Sequence, residues 1–92
     1  MSWNFDQTPN TACITCASVM NGAPVLVVTH YEDDHSWAFL DGQSFYEEGA
    51  MVVAMASVLD VHPGLMDIVD LEPGWTATRA SETHAWVRYR DA

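Results

Sequence analysis

The residues best suited to chemistry fall in two short stretches. His30, Glu32, Asp33, Asp34 and His35 place two imidazoles and three carboxylates within six positions, donors that divalent cations accept. The stretch lacks the glycine at the sharp turn of a calcium loop and does not follow the Asp-x-Asp-x-Asp-Gly order. Nor does the chain contain a His-Glu-x-x-His helix. Three readings stand for this stretch: a solvated hairpin tip, a partner contact and a metal site, in that order of preference. His30, ending an apolar run, reads as a satisfied edge residue more readily than as a ligand.

Cys13-Ile14-Thr15-Cys16 is the second stretch. A redox CxxC needs its first thiol at a helix N-terminus, where the pKa falls. A structural zinc site needs a loop that converges both sulfurs, and two more ligands. Ile14 and Thr15 are strand formers, and residues three apart on a strand point to opposite faces. The spacing therefore reads as two structural cysteines, one buried and one partly exposed. A redox pair, or zinc completed by histidines from elsewhere, is the alternative. Catalysis finds little support. His35-Ser36 is not a nucleophile elbow; adjacent Asp33 and Asp34 diverge instead of flanking a substrate. With no lysine in the chain, P-loop and Schiff-base chemistry are excluded, and no motif calls for a cofactor.

The elements that must position these residues follow from the apolar pattern. Residues 12–17 read as a strand and 18–24, with Asn21-Gly22 and Pro24, as a turn or a single helical turn. Residues 25–30 open with four successive apolar positions, as in a strand buried on both faces. Residues 37–40 return as its hairpin partner across the 31–36 loop, and Asp41-Gly42 then turns the chain. Residues 43–49 form a polar connection carrying two more acids. A strand at 51–55 passes into a helical turn at 56–60. Pro63 suits the first position of a helix whose Leu65, Ile68 and Val69 share one face, and Pro73-Gly74 ends it. Residues 75–80 and 85–90 form a closing hairpin around Ser81-Glu82-Thr83. The expected fold is α+β: an antiparallel sheet of about five strands with one or two short helices packed on it.

One domain accounts for all 92 residues, with 1–11 as a loose lead-in from which Trp3 and Phe5 could dock on the core. No apolar run approaches the roughly 20 residues of a membrane span, and the N-terminus shows no secretory pattern, so a cytoplasmic address is expected. The three basic residues, Arg79, Arg88 and Arg90, all lie in the last fourteen positions, and the net charge is −10. Such a chain does not grip nucleic acid, which needs cations on phosphates. Acidity of this kind serves a basic partner steered in by the field, or is the habit of a halophilic or lysine-poor proteome.

Trp37-x-Phe39-Leu40-x-Gly42, His62-Pro63-x-Leu65, Leu71-x-Pro73-Gly74-Trp75-x-Ala77-x-Arg79 and Trp86 together form a further pattern. It resembles a family of short bacterial proteins of unknown function grouped with the immunity proteins of polymorphic toxin systems. The resemblance covers roughly residues 12–90. It implies a small non-enzymatic protein and an immunity-type role, and supplies no catalytic residues. His62 stands where the family has Asp, Ala38 where it often has Gln, and the cysteine pair is not a family feature.

These readings converge on a non-enzymatic protein-binding domain for a basic partner, with Glu32, Asp33, Asp34 and Trp37 as contacts; the immunity-type role is what the resemblance implies. Trp37 is the tryptophan expected to be the most exposed, although a core position is favoured even for it. The alternatives are a structural or regulatory domain that self-associates through a sheet edge, and a metal- or thiol-linked protein using Cys13, Cys16 and histidines.

Overall fold

β-branched and aromatic residues, spaced to show one face each to a core, build six strands in the computed structural model, which describes residue 3, residues 5–42 and residues 50–90. β1 (Ala12–Cys16) runs directly into a one-turn helix, α1 (Ala17–Met20). β2 (Val27–His30) and β3 (Trp37–Leu40) form the expected hairpin, and β4 (Ala50–Ala54) passes into α2 (Met55–Val61). A 3₁₀ helix, Pro63–Ile68, follows, and β5 (Trp75–Thr78) and β6 (Val87–Arg90) close the chain. The polar connection expected at 43–49 lies outside the described residues.

The sheet has six strands in the order β4-β1-β3-β2-β5-β6, and it is mixed. β1 pairs with β3 in parallel, with Ile14 beside Ala38, while every other neighbouring pair is antiparallel. The expectation of about five antiparallel strands is corrected on both counts. β2 does not pair with β1; the chain leaves β1 through α1 and the 21–26 turn, and β3 inserts between them. Asp41-Gly42 turns as expected, with Gly42 at φ 76°, where a side chain is strained.

Register puts Val28, Phe39 and Ala77 in one row and His30, Trp37 and Trp75 in the next, all on the face that the helices cover. Met55, Val58 and Leu59 of α2, Val19 of α1, and Leu65, Ile68 and Leu71 complete that core. A 3₁₀ helix repeats every three residues, so Leu65 and Ile68 fall on one side, and Leu71, past the end of the helix, is buried beside them. Residues 63–69 were expected to be helical with Leu65 and Ile68 inward, and both are buried. β2 departs from the reading of a strand buried on both faces: Val27 and Thr29 are half-buried and only Val28 and His30 are enclosed. The opposite face presents Ile14, Val27, Thr29, Leu40, Thr78, Val87 and Tyr89, each at least partly exposed.

The N-terminal segment is no loose lead-in. Phe5 is buried, with its ring edge-on to Trp37 at 4.9 Å and to Phe39 at 6.2 Å. Trp3 stacks obliquely on Phe5 at 5.3 Å, and its indole N–H donates to the carbonyl of Gln7. Aromatic area of this size outweighs the entropy of holding a short segment down.

Candidate functional site

The 31–36 loop is a tight hairpin end. The Tyr31 amide donates to the Ser36 carbonyl at 2.9 Å, and the Asp34 carboxylate accepts the Ser36 amide at 3.0 Å, an Asx turn. His35 takes φ 59°, in the left-handed region that lets so short a loop reverse. Hydrogen bonding to Ser36 holds the Asp34 carboxyl below its ordinary value. Glu32, Asp33, Asp34 and His35 are all exposed, so the loop projects three carboxylates into solvent. Asp33 and Asp34 border a shallow recess of about 260 Å³, floored by Ile14 and Tyr31. Glu32 lies along Gly74, where an added Cβ would meet its side chain at 3.5 Å; Gly74, at φ 87°, donates its amide to the His30 carbonyl. The hairpin tip is thereby braced against the turn that opens β5.

Trp37 is the correction among the candidate contacts. It is 0% exposed, stacked on His30 at 4.0 Å and parallel to Phe39 at 5.9 Å. Its strand is third of six, its side chain is on the covered face, and Phe5 closes over it. It supports the loop from beneath and offers a partner no surface.

His30 is likewise no edge residue, since β2 lies between β3 and β5 and the side chain is 2% exposed. Its Nδ1 lies 2.7 Å from the Leu71 carbonyl, which can only accept, so Nδ1 carries the proton. Nε2 then faces Asp6 Oδ2 at 3.0 Å without hydrogen-bond alignment. Asp6 also accepts the Trp37 indole N–H at 2.9 Å through Oδ1 and lies 3.9 Å from His35 Nδ1, while the Gln7 amide donates to the His35 carbonyl. One carboxylate therefore ties the N-terminal segment to the base of the acidic hairpin. Sequence reasoning missed Asp6, which lies more than twenty residues from its partners; the neighbouring Trp3 and Phe5 were the only signal that the segment docks.

Cys13 and Cys16 are both buried and unlinked, in place of one buried and one partly exposed. Strand alternation sets them on opposite faces, opposite Val53 and Ala50. Burial pushes the Cys13 thiol up to about 12, so it stays protonated. Cys16 Sγ lies 3.3 Å from the Ser18 hydroxyl, which donates to Asp41 at 2.6 Å. Among the described residues no three His, Cys, Asp or Glu side chains converge as a metal set would.

The largest cleft among those described, about 380 Å³, is lined by His62, Asp67, Arg79 and Glu82. Its cation has structural work: Arg79 donates to the carbonyls of Val25 and Glu82 and lies 4.2 Å over the Trp86 ring. His62 spends one ring nitrogen on the Val19 carbonyl at 2.9 Å. Ser81 and His84, 2.6 Å apart, belong to an exposed turn in which the His84 amide also donates to the Ser81 carbonyl. No described helix is long and apolar enough to cross a membrane. Family models, curated proteins and solved structures returned no match to this chain.

Proposed function

We propose that this chain is a non-enzymatic protein-binding domain that engages a basic partner through the exposed carboxylates of Glu32, Asp33 and Asp34. The observation that carries the reading is the braced hairpin tip: three carboxylates project from a loop fixed by the Asx turn, by Gly74 and by Asp6 below. A rigid, like-charged projection costs little ordering on binding and steers an oppositely charged surface. The recess floored by Ile14 and Tyr31 adds an apolar element beside Asp33 and Asp34. In this reading Trp37 acts by holding the base of the hairpin. The toxin-neutralising role that the family resemblance implies is the particular form of the proposal, with the carboxylates covering a basic, functional surface of the toxin.

The test is capture from the source cells with the immobilised domain, set beside the E32Q/D33N/D34N variant. A basic protein retained by the wild type and lost by the variant is the expected result. A neutral or acidic partner, or equal retention by both proteins, refutes the reading.

A further inference from the structure

We propose that β6 is a self-association edge, pairing antiparallel with β6 of a second copy about Arg88. Among the described strands β6 and β4 are the two sheet edges, and β6 is exposed at all four positions. Val87 is 62% and Tyr89 47% exposed, both on the face opposite the helices. An edge carries a row of backbone groups open to another strand.

The sequence around Arg88 is self-complementary. Directly opposed residues of an antiparallel pair share a face. With Arg88 opposite Arg88 of the second copy, Val87 meets Tyr89 twice on one face, while on the other Arg90 comes beside Trp86, which precedes the strand and already carries Arg79 over its ring. Apolar–aromatic pairs of this kind stabilise cross-strand neighbours. The one unfavourable pair, Arg88 with its copy, is offset because each Arg88 already binds Asp70 at 2.8 Å. Shifting the register by two residues toward the C-terminus opposes Arg88 to Arg90 twice and loses the Val87–Tyr89 pairs, so that register is disfavoured.

Charge permits this contact, because Asp70 neutralises Arg88 at the edge. Two copies of net charge −10 repel nearly everywhere, and β6 holds two of the three basic residues. β4 is apolar, with Val52 72% exposed, yet in sequence it follows Glu47 and Glu48. A β6–β6 contact is isologous and closes at two copies, whereas β6 on β4 would continue into filaments. A four-residue edge covers far less than the roughly 1,000 Å² of a stable interface, so the dimer is reversible and concentration dependent.

The experiment is sedimentation equilibrium of the full chain from about 1 µM to about 1 mM, the range in which weak association is read. Wild type is expected to move from monomer to dimer. V87K and Y89K, at exposed positions, should keep the wild-type circular dichroism and remain monomeric at least tenfold higher in concentration, whereas V52K should dimerise as wild type does. In parallel, β6 amides of the wild-type chain should gain hydrogen-exchange protection with concentration. A wild type monomeric throughout, a dimer that survives V87K and Y89K, loss of the dimer in V52K, filaments, or concentration-independent β6 exchange would each overturn the proposal.

Discussion

Replacing Phe5 by Ala tests whether the N-terminal segment is part of the fold. Phe5 is 6% exposed and set edge-on against Trp37 and Phe39. Removing its ring forfeits about 1.5–3 kcal/mol of transfer free energy. Lost edge-to-face contacts, worth roughly 0.5–1.5 kcal/mol per pair, and the cavity left over Trp37 bring the loss to about 3–5 kcal/mol. A domain of this size has about 5–14 kcal/mol in total, so the variant should be close to marginal. Its melting temperature should fall by at least about 12 °C, since 1 kcal/mol corresponds to roughly 4–8 °C in a domain of this size. Urea titration followed by tryptophan fluorescence reads the change. A loss within about 0.5 kcal/mol, as at an ordinary surface site, would mean that the segment is not docked and that the account of Trp37 burial is wrong.

Ile68→Ala should cost about 2–5 kcal/mol in the same titration if the 3₁₀ helix packs Leu65 and Ile68 on the sheet; a surface-like loss would remove that helix from the core. Asp6→Ala leaves the buried Trp37 indole N–H without its acceptor and should cost about 1–3 kcal/mol; an unchanged unfolding midpoint would refute the tether. Cys13, with its thiol near 12, should resist alkylation at pH 8 in the native protein and react once unfolded; rapid native labelling, located by mass spectrometry, would contradict its burial. The same shift sets a pH dependence. An unfolded thiol ionises near 9, before the folded one, so the folded state holds the proton longer and Cys13's contribution to stability declines from about pH 9 toward 12.

The parts of the fold that were legible in the sequence are those encoded locally. The apolar run into His30, its return at Trp37 and the Asp41-Gly42 turn define the β2–β3 hairpin, and Pro63 with Pro73-Gly74 brackets the one segment between α2 and β5. Strand order was not legible: β1 beside β3 in parallel is a contact across a crossover, and neither alternation nor turn residues mark it. The site divides in the same way. Exposure of Glu32, Asp33 and Asp34 follows from their type and their place in a loop. Burial of Trp37 depends on Phe5 and Asp6, from a segment whose polar composition resembles a free tail. His30 was misplaced for a related reason, since the carbonyl that fixes its tautomer belongs to Leu71, forty-one residues away.

The central claim, that the hairpin carboxylates attract a basic partner, is tested most directly by its association rate constant measured across a salt series for wild type and D33N/D34N. Exposed charges act beyond contact distance and are screened within about 8 Å at physiological ionic strength. Wild-type association should therefore slow steeply as salt rises, and the double variant should start slower with a shallower dependence. A rate indifferent to salt and unchanged by both replacements would contradict the claim and leave the acidity as a solubility trait.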